Sequence, residues 1–183
     1  MDTLTTIIEP LDVGKHDRAA FSSGVPALDN YLKQQATQDT KKDIARIYVL
    51  CEQPSPINVV MQPILGYYTI SSMAVETIQL PTTITRRLPK YEALPAILIG
   101  RLAVDQNQRG RRFGEQLLTD ALKRCFRLSQ QVGTMAVLVD AKDETSARFY
   151  LKYGFKPYED RPLSFYMEMA VIKQIVTPSN NSH

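Results

Sequence analysis

The sequence predicts a mixed α/β domain with a largely antiparallel front and a central parallel unit. Three observations carry that expectation. The chain has 183 residues, about one domain's worth, and at this size roughly 70% of the unfolded surface can be buried. Apolar residues make up 44% and charged residues 22%, an ordinary globular balance that excludes a disordered chain, a collagen-like chain and a coiled coil. From Ala96 onward the pattern alternates strand, helix, strand, helix, strand, whereas the first half reads strand, helix, hairpin; alternation of that kind builds a parallel pair with a crossover helix.

Each element has a local reason. Ile7 and Ile8 mark a short first strand. Pro26 suits a first helical turn, and Leu28, Tyr31, Leu32 and Gln35-Ala36 form one face of a helix running to about Asp39. Ile44 to Leu50 is rich in Ile, Val and Tyr and reads as a strand, with Ile64 to Ser71 as its hairpin partner. Between them, Gln53 to Pro63 carries three prolines and reads as a loop. Val75 to Pro95 is an irregular, basic connection, and a connection that long is more often functional than not. Ala96 to Val104 is a buried strand, and Asp105 to Arg109 a turn. Arg112 to Gln131 is an amphipathic helix with Phe113, Leu117, Ala121, Cys125 and Leu128 on one face, capped by Gly133. Thr134 to Asp140 is a buried strand. Thr145 to Tyr153 is a helix closed by Gly154 at its C′ position, and Leu163 to Val171 is a last strand. Residues 1–176 form one domain in this reading, with 177–183 as a polar, mobile tail.

The start, MDTLTTIIEPLD, has neither a basic n-region nor a continuous apolar h-region. The longest apolar stretch, Ala93 to Val104, is interrupted by Pro95 and Arg101 and too short to span a bilayer. Cys51 and Cys125 show no CxxC or Cys/His spacing, so neither a disulfide framework, a metal site nor a cysteine nucleophile is expected; both read as core. The expected setting is the cytoplasm, without membrane attachment. Net charge is +3 and the pI about 8.8, but the distribution says more. Arg86, Arg87, Lys90, Arg101, Arg109, Arg111 and Arg112 face only Glu92 and Asp105, a local excess of +5 that points to an anionic partner.

The chemistry concentrates where the strand ending at Val104 runs through Asp105-Gln106-Asn107-Gln108-Arg109-Gly110-Arg111-Arg112-Phe113-Gly114 into the long helix. Strand, glycine-bearing turn, helix is an anion-binding arrangement, because the helix start presents unpaired N–H groups and partial positive charge. No Gly-Lys-Ser/Thr follows, which excludes a P-loop, and the GxGxxG spacing of a dinucleotide site is absent.

Arg109-Gly110-Arg111-Arg112-Phe113-Gly114 resembles the pyrophosphate loop of the GNAT N-acetyltransferases, Q/R-x-x-G-x-G/A. Asp143-Glu144-Thr145-Ser146-Ala147-Arg148-Phe149-Tyr150, followed by Tyr153-Gly154-Phe155, resembles that family's second motif, N-x-x-A-x-x-F-Y-x-x-x-G-F. Arg112 stands where the loop usually has its second glycine, and Asp143 where asparagine is usual. Ala27 to Leu32, Gly66 to Thr69, Arg87 to Tyr91 and Gly100 to Asp105 are similar to the GNAT toxins of bacterial toxin–antitoxin pairs, which acetylate the amino acid carried on tRNA. The resemblance runs from about Leu11 to Met169.

It implies a GNAT fold, with a central mostly antiparallel sheet, a splayed parallel strand pair and flanking helices. It implies acetyl-CoA as cosubstrate and no metal. Tyr150 would sit beside the thioester sulfur and donate a proton to the departing thiolate, while Tyr153 and Phe155 are core. Leu102, Ala103 and Val104 would bind the acetyl carbonyl and the pantetheine through their backbone. Arg109, Gly110, Arg111, Arg112, Phe113, Gly114, Asp143 and Ser146 complete the coenzyme site, Arg112 as an added cation. Arg86, Arg87 and Lys90, in the connection that the family places near the acceptor side, would hold tRNA phosphates. Implied partners are aminoacyl-tRNA, a ribbon–helix–helix antitoxin, operator DNA reached only through that antitoxin, and a second copy of the chain in a homodimer.

No general base is evident. His16 and His183 read as surface histidines away from the motifs, and Asp105 or Glu76 could act only through water. An α-amine titrates near 7.7–8.0 and is partly neutral at pH 7, unlike a lysine near 10.4, so the missing base favours an α-amine acceptor. Two other readings stay open: an N-acetyltransferase for a protein N-terminus or small amine, and a non-catalytic acyl-CoA-binding regulatory module.

Overall fold

The computed structural model describes residues 5–53 and 61–177. In chain order the strands and helices are β1 (Thr6–Pro10), β2 (His16–Asp17), α1 (Pro26–Asn30), α2 (Ala36–Lys41), β3 (Arg46–Glu52), β4 (Gln62–Glu76), α3 (Thr82–Thr85), β5 (Ala93–Val104), α4 (Phe113–Ser129), β6 (Ala136–Asp140), α5 (Glu144–Lys152), β7 (Lys156–Pro157), β8 (Ser164–Glu168) and α6 (Met169–Val176). A π-turn over Tyr31–Gln35 joins α1 to α2. The chain divides into two compact units. The first takes the described residues up to Ser71 together with Gly100–Ala121; the second takes Ser72–Ile99 and the described residues from Leu122 on.

In the first unit β1 pairs antiparallel with β3, from Thr6↔Glu52 to Pro10↔Tyr48. β3 pairs antiparallel with β4, from Arg46↔Ile70 to Cys51↔Ile64, and β2 adds a short parallel contact at His16↔Gln62. Its core gathers Phe21, Tyr31, Leu32, Ala36, Ile47, Val49, Tyr67 and Ala103, each fully buried large side chain contributing roughly 1.5–3 kcal/mol. Gly66 is required by close packing: a Cβ there would lie 2.8 Å from Leu117 Cδ1 and 2.9 Å from the Ala103 carbonyl oxygen.

The second unit holds the parallel pair. β5 runs beside β6 from Ala96↔Ala136 to Ile99↔Val139, and that register ends five residues before β5 itself does at Val104. β6 pairs antiparallel with β8, and β8 with β7. The parallel β5–β6 pair, the antiparallel strands and the flanking helices match the expected fold class.

Several expectations need correction. The long connection is more structured than its prolines imply: β4 continues to Glu76, a 3₁₀ turn covers Thr77–Gln79, α3 follows, and β5 starts at Ala93. Ile84 and Leu80 anchor this segment in a cluster with Leu94, Tyr158 and Tyr166. The last strand stops at Glu168 and α6 replaces its end, because Ile172 is fully buried on a helical stripe that a strand reading overlooked. On α4, Leu128 is 42% exposed, while Leu118 and Leu122 join the buried face. Gly133 does not cap α4: the helix ends at Ser129, and Gly133 is not among the positive-φ residues. Most of the proposed tail, residues 178–183, and most of the loop from Gln53 to Pro63 lie outside the described residues.

Candidate active site

The anion-binding turn belongs to the first unit. Asp105 follows β5, and its carboxylate accepts the Asn107 N–H at 2.9 Å and the Ser22 N–H at 3.0 Å. Its buried side chain is therefore a brace for the turn, not a free base. Gly110 has φ 79° and Arg112 φ 60°. Two left-handed residues, one on either side of Arg111, turn successive N–H groups outward, the geometry of an anion nest. Among the described residues the N–H groups of Arg109 to Gly114 meet no protein acceptor, and α4, 17 residues long, adds its positive N-terminal end.

The expected cations of this loop are engaged. Arg109 Nη2 donates to the Ser23 carbonyl at 2.8 Å. Arg111 Nη1 donates to Gln108 Oε1 at 2.7 Å, and its guanidinium sits 5.1 Å from the centre of the Phe113 ring. Arg112 is bidentate to Glu115, with both bonds at 2.8 Å. What the loop presents to an anion is mostly backbone. Leu102, Ala103 and Val104 precede it on β5, with Ala103 buried and its neighbours half-buried.

Tyr150 belongs to the second unit. Asp143 caps α5: its carboxylate accepts both the N–H and the hydroxyl of Ser146 at 2.8 Å. The backbone N–H of Ser146 first, then its hydroxyl, hold that carboxyl below its usual range. An aspartate does here what asparagine does at an N-cap. At the other end, Gly154 takes φ 92°; its N–H donates to Leu151 and the Phe155 N–H to Tyr150, a Schellman closure. The Tyr150 ring packs edge-on against Phe149 at 5.3 Å and Phe155 at 5.6 Å. Tyr150 is 6% exposed, and among the described residues its hydroxyl has no hydrogen-bond partner. Burial, aided by Asp140, raises the phenol above its usual 10. Phe155 is buried core as expected, whereas Tyr153 is only half-buried.

Arg86, Arg87 and Lys90 follow α3, all exposed, and among the described residues no carboxylate pairs with them. Glu76 is exposed and accepts from Gln79 at 3.1 Å. Cys51 and Cys125 are buried free thiols, each pushed up to about 12 by burial. His16 is not the surface residue expected: it is 1% exposed, its Nδ1 accepts the Asp12 N–H at 3.0 Å and its Nε2 faces Glu9 at 3.1 Å. Sequence reasoning also missed the Ser22-Ser23 segment that fixes Asp105 and Arg109. No local signal marks it, since those partners lie more than eighty residues apart in the chain. No helix of the described residues is long and apolar enough to cross a membrane.

The first unit thus holds an N–H nest at a helix start, and the second a capped helix that carries a buried tyrosine in its last turn. A family model described as an acetyltransferase (GNAT) domain matches residues 43–157, and the chain belongs to the GNAT family of acetyltransferases. It is 35% identical over 177 residues to a probable toxin TacT of Sinorhizobium fredii, covering 93% of this chain and 94% of that one. It is 31% identical over 160 residues to a tRNA-acetylating toxin of Mycobacterium tuberculosis, covering 87% and 90%. Among solved structures, AtaT complexed with acetyl-methionyl-tRNAfMet superposes with a TM-score of 0.83 at 27% identity, over 94% of this chain and 99% of that one. A tyrosine-to-phenylalanine form of AtaT, bound to the C-terminus of the antitoxin AtaR and to acetyl-CoA, gives 0.78 at 25%, over 94% and 98%.

Proposed function

We propose that this chain is the toxin of a toxin–antitoxin pair, transferring acetyl from acetyl-CoA to the α-amine of an aminoacyl-tRNA and so blocking translation. The observation that carries the reading is the likeness, over most of both chains, to a tRNA-acetylating toxin. Residues 1–176 act as one acetyltransferase domain, a reading supported by a family match that crosses both compact units.

The neutral amine nitrogen attacks the thioester carbonyl carbon, the C–S bond breaks, and the nitrogen releases its extra proton to water. The oxyanion is met by backbone groups of Leu102, Ala103 and Val104. The pyrophosphate rests on the N–H groups of Arg109 to Gly114, and Asp143 and Ser146 border the coenzyme from the start of α5. Tyr150 attends the sulfur. The Tyr150 phenol, raised above 10, donates a hydrogen bond to the sulfur as charge develops; as the C–S bond breaks its proton passes to the departing thiolate, and the phenoxide takes one back from the solvent that received the amine's proton. Arg86, Arg87 and Lys90 take tRNA phosphates. The acceptor amine needs no protein base, since esterification keeps it largely neutral at working pH.

The same reading assigns a ribbon–helix–helix antitoxin as partner, operator DNA reached only through it, a homodimer as the working form, and the cytoplasm as the setting. The test is incubation with radiolabelled acetyl-CoA and total charged tRNA, followed by identification of the labelled species. Label in N-acetyl-aminoacyl-tRNA supports the reading; label confined to peptides or small amines overturns it.

A further inference from the structure

Arg101 sits over the Tyr31 ring, its guanidinium carbon 3.5 Å from the ring centre. Both residues belong to the first unit. The platform beneath the guanidinium is fixed from several sides. The Tyr31 hydroxyl donates to the buried carboxylate of Asp39 at 2.9 Å. Its ring lies parallel to that of Tyr67, 6.4 Å away and tilted by 15°, and the Tyr67 hydroxyl donates to the Leu28 carbonyl at 2.8 Å. Tyr31 also opens the π-turn between α1 and α2; such turns sacrifice helical hydrogen bonding and recur at functional sites.

Arg101 is half-buried, yet among the described residues none of its N–H groups meets an acceptor and no carboxylate lies within ion-pair distance. That sets it apart from Arg109, Arg111 and Arg112, whose guanidinium groups are all engaged. Stacking holds a guanidinium by its face and leaves its edge donors available. A permanent cation partly withdrawn from water and given no counter-charge is costly unless a ligand supplies the anion. Its place on β5 is equally pointed. It precedes Leu102, the first of the three residues proposed to meet the acetyl group, and lies two residues from Ala103, which packs in the same cluster as Tyr31 and Tyr67.

We infer that Arg101, held on Tyr31, anchors a phosphate of the acceptor substrate: the phosphodiester next to the aminoacylated terminal nucleoside of the charged tRNA. This deepens the proposed function and rests on it. The coenzyme's pyrophosphate has the N–H groups of Arg109 to Gly114, and its 3′-phosphate lies beyond the pyrophosphate, at the end of the coenzyme remote from the thioester, so beside the acetyl group the acceptor is the source of anion. A guanidinium edge matches two phosphate oxygens at once, which fixes the acceptor end in position as well as binding it.

The test compares two minimal acceptors: aminoacyl-CpCpA fragments, which contain that phosphate, and the matching aminoacyl-adenosines, which lack it, each prepared for all proteinogenic amino acids. Wild-type enzyme should use the trinucleotide better in kcat/KM by about 10–100-fold, the range of a charge-assisted hydrogen bond. Arg101→Gln should remove that advantage while leaving the aminoacyl-adenosine rate and acetyl-CoA affinity within about twofold. Arg101→Lys, which keeps charge and stem but not the planar stack, should retain part of it and serves where the glutamine variant folds poorly. Equal losses on both acceptors, no loss on either, or weakened acetyl-CoA binding would each overturn the assignment. Wild-type enzyme that acetylates neither acceptor, nor intact charged tRNA, would instead remove the function on which it rests.

Discussion

Glu115 grips the guanidinium of Arg112 with both carboxylate oxygens at 2.8 Å, although Arg112 holds a left-handed backbone at φ 60°. The chain has thus kept the conformation a glycine would favour while carrying a side chain. For a non-glycine residue that conformation costs about 1–2 kcal/mol, and an exposed ion pair returns about 0–1 kcal/mol. Arg112→Gly should therefore leave stability within about 1 kcal/mol of the parent, whereas Arg112→Val, β-branched and without the pair, should lose about 1–2 kcal/mol in urea melts. Acetyl-CoA affinity should change less than about threefold in Arg112→Gly, because the guanidinium is engaged with Glu115 and the proposed pyrophosphate site is made of backbone N–H groups. A larger loss by calorimetry would restore Arg112 as a phosphate ligand.

Tyr150→Phe removes a hydroxyl without a partner among the described residues and leaves every ring contact in place, so its melting temperature should match the parent's. Turnover should fall by about 10²–10⁴-fold, the range for losing a general acid, with acetyl-CoA affinity nearly unchanged. The pH profile adds a second readout. Burial raises the Tyr150 phenol above 10, so it keeps its proton as pH rises, and its loss cannot depress the rate below about pH 10. The wild-type rate should climb as the acceptor amine loses its proton, near or below its ordinary range of about 7.7–8.0, and then stay level. A falling limb below pH 9 would contradict the protonated-tyrosine role.

The legible parts of this protein are those with a local signature. The strand–turn–helix from Ala96 to Ser129 and the helix ending at Gly154 announce themselves by periodicity, by a positive-φ glycine and by motif spacing, and the elements appear within a few residues of their expected bounds. The parts hidden from the sequence depend on partners far along the chain. Nothing near His16 shows that Glu9 and the Asp12 N–H will enclose it, nothing near Arg101 points to Tyr31, and nothing near Asp105 points to Ser22. The misread last strand has a different cause: Met169 to Val176 is apolar enough to satisfy either period, and only burial of Ile172 decides for the helix.

The cap of α5 offers a test separate from chemistry. Asp143→Ala should lower the melting temperature, because the Ser146 N–H and hydroxyl lose their acceptor, while Asp143→Asn should keep most of it. The Asp143 carboxyl is held below its ordinary value by those same donors. Its contribution is therefore complete above the ordinary carboxylate range and is lost as pH falls through the lowered folded-state pKa. Relative to wild type, the asparagine variant should be less sensitive to acid below about pH 4. Identical acid melts for the two proteins would mean that the cap does not titrate with folding.

Arg86, Arg87 and Lys90 form an exposed cationic group without ion-pair partners among the described residues. If they hold tRNA phosphates, changing all three to Ala should raise KM for charged tRNA and leave acetyl-CoA binding unchanged. The salt dependence makes the test specific. Each phosphate contact releases condensed counterions, so each one lost flattens the slope of log affinity against log salt by about 0.7–0.9. Three lost contacts should flatten it by about 2–3. Since exposed cations in the turn after α3 cover little apolar surface, stability should stay within about 0.5 kcal/mol, which separates lost binding from lost fold. The measurement is tRNA binding across a salt series for both proteins. Equal slopes would take these three residues out of the RNA surface, and a flat wild-type slope would favour an acceptor without a polyanionic body, such as a protein N-terminus or a small amine.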